Sequence, residues 1–186
     1  FQNYNNTYLP LTQLKQYAKD SAEIEGVTAV YFSTRPDAIN KKYISVLKNT
    51  LQEVSPEIEL AFEFGLQTVN YKTLKKVNRQ HGLAEFIDAV LTAKSFDVEV
   101  GAHLILNLPG DDREDVIEGA RILSALGVDH VKLHALYIRE NSVFAEKYKR
   151  GELKICSLDE YIERVILFLE NLDPDIAVQR LIGRAP

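Results

Sequence analysis

Glu57–Arg79 reads EIELAFEFGLQTVNYKTLKKVNR: a strand, a sharp turn at Gly65, then the start of a helix. Side chains alternate across a strand, so Ile58, Leu60, Phe62 and Phe64 share one face. Glu57, Glu59, Ala61, Glu63 and Gly65 share the other, and Gln67 continues that parity if the backbone stays extended. A strand that feeds a helix belongs to a parallel α/β sheet, whose strands are buried on both faces and read as nearly continuous apolar sequence. This one carries carboxylates on one side. Either it is an exposed antiparallel strand, or the charged face has a purpose.

Its neighbours favour the second reading. Upstream, Leu11, Leu14, Tyr17, Ala18 and Ile24 show helical spacing closed by Gly26, followed by the β-rich run Val27–Ser33 and the turn Thr34-Arg35-Pro36-Asp37. A second helix carries Tyr43, Ile44, Leu47 and Leu51. Downstream come a helical region with Leu74 and Val77, a helix with Phe86, Ile87, Val90 and Leu91, and the strand Val98–Leu106. A helix from about Asp112 to Leu126 stops at Gly127, and Val128–Leu136 is the next strand. Ser157-Leu158-Asp159-Glu160 is a capping box that opens a helix to about Leu172, and Ile176–Ile182 is a last strand. Phe1–Tyr8 reads as a strand end running into a loop. Regular β–α alternation argues for a parallel sheet.

The charged face then recurs. Glu99, Gly101, His103, Ile105 and Asn107 share one parity of their strand, as do His130, Lys132 and His134 of theirs, while Ser33 and Arg35 close the first. Unpaired charge is too costly to bury as ordinary core. A curved sheet with a wet, ligand-filled concave side accounts for the pattern; the alternative is a closed barrel filled by ion pairs, Glu59 or Glu99 against Lys132. Arg35, Gln67, Asn107 and Leu136–Arg139 fall at or just beyond the C-terminal strand ends, where α/β proteins build their sites.

The chain has 186 residues, 46% of them hydrophobic, enough for one domain with a core of its own. A net charge of −5 without a basic block disfavours nucleic acid as a tight partner. No apolar run of membrane-spanning length occurs, so no membrane partner is expected. The single cysteine, Cys156, excludes an intrachain disulfide and fits a reducing compartment, hence the cytoplasm. It reads as a passive loop residue. The start at Phe1, without Met, implies processing or missing upstream residues. G-x-S-x-G, P-loop, H-E-x-x-H and G-x-G-x-x-G motifs are all missing from the sequence. Asp111-Asp112-Arg113-Glu114-Asp115 reads as helix capping rather than a divalent-metal site. The residues themselves thus lead to an α/β barrel-like domain with a polar pocket.

Phe62-Glu63-Phe64-Gly65-Leu66-Gln67-Thr68, with Arg79 following, resembles the fourth-strand signature of radical S-adenosylmethionine (SAM) enzymes, in the branches of oxygen-independent coproporphyrinogen III dehydrogenase and the Elongator catalytic subunit. His103-Leu104-Ile105-Leu106-Asn107-Leu108-Pro109-Gly110 resembles their fifth-strand motif and Thr34-Arg35-Pro36-Asp37 their third-strand ending. Phe1–Tyr8 and Gln179-Arg180-Leu181-Ile182-Gly183 narrow the resemblance to the YhcC-like bacterial group.

The resemblance implies an α/β fold: a partial (β/α)6 TIM-barrel-like core of parallel strands, first strand and cluster loop missing, over residues 1–156, with a helix and strand in 157–186 on the same domain. It implies SAM as cofactor, with Gln2, Ser33, Arg35, Glu63, Gln67, Arg79, His103 and Asn107 as candidate binding residues. Gln67 and Arg79 match the family's SAM site, His103 its ribose contact, and Ile105–Leu108 its adenine contact. Ser33 stands where some relatives are acidic, Asn107 where many have Gly, and Phe1-Gln2-Asn3 where the second strand carries Gly-Gly-Glu.

The family also uses a [4Fe–4S] cluster held by C-x₃-C-x₂-C. With Cys156 alone, the ligands must lie outside this chain, and the fragment by itself is expected to be inactive. The implied whole enzyme cleaves SAM reductively to a 5′-deoxyadenosyl radical that takes hydrogen from an unknown substrate, with a flavodoxin or ferredoxin as electron donor. The competing expectations are an inactive barrel that binds a nucleotide-like ligand or a partner, and a metal-dependent hydrolase built on Glu63, His103 and His134.

Overall fold

The computed structural model describes Phe1 and residues 5–183. Five strands, β1 Ala29–Thr34, β2 Glu59–Gln67, β3 Glu99–Ile105, β4 His130–His134 and β5 Ala177–Arg180, form one sheet in the order β1-β2-β3-β4-β5, all parallel. Sequential order is that of a barrel wall; a doubly wound sheet reverses its order part-way. Among the described strands β1 and β5 do not pair, so the wall is open. Phe1 extends it at the β1 side: its N–H donates to Tyr31 O (2.7 Å) and its carbonyl accepts from Ser33 N (3.0 Å). That is the parallel ladder pattern, as expected of a strand end.

Helices α1 Leu11–Ala22, α2 Lys41–Val54, α4 Leu83–Lys94, α5 Arg113–Leu126 and α7 Leu158–Asn171 supply the crossovers, with short α3 Tyr71–Lys76 and α6 Val143–Lys149 beside them. The predicted stops and caps are present: Gly127 closes α5 in the left-handed region, Asp112 caps its start, and Ser157 with Glu160 boxes α7. Capping therefore accounts for Asp112, Glu114 and Asp115 of the acidic run, while Asp111 precedes the cap with its Oδ1 buried and without a partner among the described residues. α6, capped by Ser142, has no counterpart in the sequence reading; VFAEKYK is too short to show a period. β4 is shorter than the predicted Val128–Leu136. No helix is long and apolar enough to cross a membrane among the described residues.

The core lies on one face of the sheet. Phe32, Phe62, Phe64, Leu66, Val100, Leu104, Val131 and Leu133 meet Leu14, Leu47, Leu51, Phe86, Val90, Leu123 and Phe168 of the helices in one apolar cluster. Tyr161 and Phe168 of α7 join it, and β5 pairs with β4, so residues 157–183 extend the same core and sheet. The other face carries the polar parity read from the sequence.

Candidate functional site

The pairing register arranges that polar face in rows. Ser33, Glu63, Gly101 and His130 are successive partners across four strands; Gly65, His103, Lys132 and Arg180 form the next row toward the C-terminal ends. Glycine alternates with charge for a steric reason. A methyl group at Gly101 would fall inside the His130 imidazole, and one at Gly65 would lie 2.6 Å from both Arg79 Nη2 and Gln67 Nε2. Each glycine makes room for a neighbour's side chain to lie flat over the sheet.

Glu63 is the centre of the lower row, with 1% of its surface exposed. Ser33 donates to its Oε2 at 2.6 Å, and the Lys132 ammonium is bonded to its Oε1. His103 Nε2 stands 3.5 Å from Oε2 and His130 Nε2 stands 3.6 Å from Oε1. Burial alone would raise the Glu63 pKa; His103, His130, Lys132 and Ser33 together outweigh it and hold the carboxyl far below the usual range. His130 Nδ1 lies 2.9 Å from Glu99 Oε1, oblique to a hydrogen bond, and Tyr31 Oη donates to Glu99 (2.9 Å to Oε2). Burial first, then Glu99, pushes the Tyr31 phenol up to about 12. The polar face is thus partly filled by paired charge, but the pair is Glu63–Lys132; Glu59 is exposed and Glu99 meets His130.

Above this floor opens a cavity of about 640 Å³, lined by Asn5, Tyr8, Ser33, Thr34, Arg35, Glu63, Gly65, Gln67, Arg79, His103, Lys132, His134 and Arg180. The cavity reading thus holds above a paired floor, while the closed barrel does not form, since β1 and β5 do not pair among the described residues. An apolar groove of about 610 Å³ adjoins it, with Ile105, Leu108, Leu136, Tyr137 and Phe144 among its walls, and Gln67 and Arg79 line both.

Those two residues sit at the join because β2 does not stay extended. The ladder slips between Gly65 and Gln67, and Gln67 takes φ +73°, so its amide folds back over Gly65. Bulges of this kind re-aim side chains beside sites. Arg79 leans on the same glycine, donating to Gly65 O at 3.3 Å. Its Nε is buried with no partner among the described residues, and no carboxylate pairs with it there. Burial, then the neighbouring Arg35, lowers its pKa. Such a cation is a site for an anion.

The Radical_SAM C-terminal domain model matches residues 128–186. The uncharacterised protein MJ0486 of Methanocaldococcus jannaschii is 32% identical over 176 residues, 95% of this chain and 54% of that protein. Protein YhcC of Escherichia coli K12 is 26% identical over 185 residues, 100% of this chain and 59% of its own. Together these matches support a radical SAM superfamily protein similar to the YhcC-like group. The chain spans little more than half the length of these relatives. Among solved structures, Elp3 of Methanocaldococcus infernus superposes with a TM-score of 0.75 over 93% of this chain and 40% of that one, at 22% identity, and so shares the TIM-barrel-like fold.

Within this half-barrel, six expected site residues meet in the cavity: Ser33, Arg35, Glu63, Gln67, Arg79 and His103. Their conditions differ. Arg35 is committed to Asp37 through two bonds (2.8 and 2.6 Å), and Ser33 to Glu63. His103 faces the His134 ring at 5.3 Å. Asn107 is elsewhere: its side-chain oxygen accepts from Leu136 N at 2.6 Å, tying β3's end to β4's, and it lines neither cavity nor groove. Gln2 lies outside the described residues. Site residues beyond those expected are Lys132, which the strand parity exposes to view, and Arg180, which alternation alone places on the other face. Glu63, His103 and His134 form no metal-holding group among the described residues, which removes the geometric basis of the hydrolase reading.

Proposed function

We propose that this chain is part of a radical SAM iron–sulfur enzyme that cleaves SAM reductively and abstracts hydrogen from its substrate. The observation that carries the reading is Arg79, a cation without a carboxylate partner among the described residues, held beside the Gln67 amide where a polar cavity meets an apolar groove. SAM has the matching parts. Its carboxylate suits Arg79, its ribose hydroxyls suit Gln67 and His103, and its adenine suits the groove beside Ile105 and Leu108. When bound, SAM supplies the 5′-deoxyadenosyl radical. The chain's own residues orient it, and Glu63 with Lys132 keeps the floor charged but balanced.

The cluster does not fit the chain: Cys156 is its one cysteine, and three thiolates are needed. The reading therefore requires the cysteines elsewhere in the full-length protein, a one-electron donor such as flavodoxin or ferredoxin, and the reducing cytoplasm.

Anaerobic reconstitution of the full-length protein with iron and sulfide, followed by assay for 5′-deoxyadenosine, tests the chemistry. A protein that binds SAM and assembles a cluster without ever forming that product is instead a binding barrel. SAM titration tests the site: Arg79→Ala and Gln67→Ala should each weaken binding by about tenfold or more, and unchanged affinity in both sinks it.

A further inference from the structure

In the SAM reading Arg79 takes one anion, and the cavity wall carries a second cation, Arg180. Arg180 ends β5. Val178 pairs with Val131 on the helix-covered face, so regular alternation would turn Arg180 the same way. The ladder slips instead: Arg180 pairs with Lys132, leaving Gln179 as a bulge, and Arg180 turns to the cavity wall. The two bulges of the sheet, at Gln67 and before Arg180, each bring one polar side chain to this cavity.

Arg180 has no carboxylate within ion-pair distance among the described residues. Its neighbour Lys132 is matched by Glu63, so the wall keeps an excess positive charge. His134 registers it. Burial first, and then His103, Arg180 and Lys132, push that imidazole down to about 4, leaving it neutral with an N–H to donate. Its Nδ1 lies 3.0 Å from where a side chain on Gly183 would begin, so Gly183 leaves the ring its place. SAM has one carboxylate, and β5 stands three strands from β2, roughly 14 Å along the sheet. One carboxylate does not span that distance.

We infer that Arg180 and His134 form an anion subsite that holds the carboxylate or phosphate of a small acidic substrate, on the wall opposite the SAM carboxylate. The inference rests on the SAM reading for the occupancy of Arg79. A small molecule suits it better than RNA, because the chain has a net charge of −5 and no basic block to track a phosphate backbone.

The test uses full-length protein with ring-labelled histidine, titrated by NMR with phosphate, succinate and a short RNA at constant ionic strength. His134→Gln identifies the His134 signal. Phosphate or succinate should move it saturably, the tighter of the two naming the group, and Arg180→Gln should weaken the response about tenfold or more while SAM affinity holds. Arg79→Ala should do the reverse. If Arg79→Ala and Gln67→Ala both leave SAM affinity intact but the His134 response still depends on Arg180, the SAM reading fails and the subsite stands. The subsite is overturned if neither anion moves His134, if Arg180→Gln responds like the parent, or if RNA alone produces the shift.

Discussion

Glu63 and Arg79 are both charged and both largely out of water, Glu63 on β2 and Arg79 reaching from the loop after α3 onto Gly65 one row above, yet they are in opposite conditions. Every direction around Glu63 is occupied: Ser33, Lys132, His103 and His130 close on it from three strands. Arg79 has one long bond to a carbonyl and a buried Nε with no partner among the described residues. Burying either charge is costly; only Glu63 recovers the cost inside the protein. The floor is thus closed by its own partners, and the rim keeps a cation without one among the described residues.

Replacing Glu63 is the severest way to break that contrast. Glu63→Gln strands the Lys132 ammonium among histidines, and losing one member of a buried pair costs about 3–5 kcal/mol, on the order of 10 °C in Tm. Adding Lys132→Met should restore a good part of the loss, because a neutral, apolar pair no longer has a charge to satisfy. Urea denaturation of the single and double variants measures the cycle; additive losses would mean that the floor is not one unit.

The two glycines provide a finer comparison. At Gly101 a new methyl group meets the whole His130 ring, which is itself buried and set between Glu63 and Glu99. Overpacking a fixed neighbour costs about 1–3 kcal/mol, so Gly101→Ala should be clearly destabilised. At Gly65 the obstruction is the far ends of Gln67 and Arg79, two flexible chains that can swing away. Gly65→Ala should lose less than about 1 kcal/mol but bind SAM about tenfold more weakly, because the swing undoes the site. Melting curves and SAM titration on both variants decide it. Equal stability losses would show that the rim is as rigid as the floor.

That difference also marks where the sequence stops being readable. Period-two alternation holds within regular strands, so the inner parity of Glu63, His103, Lys132 and His134 was legible, and β–α order made the sheet parallel. The partner of Lys132 was not legible: Glu59, Glu63 and Glu99 share one parity, and only the register between strands puts Glu63 within reach. Arg180 was hidden because a bulge inverts parity and leaves no mark on composition. Gln67 is legible only through resemblance, because its parity argument needs an extended backbone that φ +73° breaks. Asn107 looked like a ligand contact because it stands at a strand end; its oxygen is spent on Leu136.

Acid separates floor from rim more gently, and in two windows. His134 belongs to the rim, with a folded pKa lowered to about 4 by burial and by His103, Arg180 and Lys132. Between about pH 6.5 and 4 the unfolded chain takes a proton there and the folded chain does not, so this contribution to stability is full above pH 6.5 and falls as pH falls. Glu63 belongs to the floor. Its folded pKa is depressed, so its contribution is full above the unfolded value of about 4.3 and is lost only below it. Urea midpoints followed from pH 7 to 3 should therefore show that His134→Gln flattens the upper window alone and Glu63→Gln the lower alone. His134 is in part solvated, which makes its slope the smallest of these effects. A parent protein whose stability rises between pH 6.5 and 4, with His134→Gln abolishing the rise, would mean that the ring is charged in the folded state and that the rim already holds an anion.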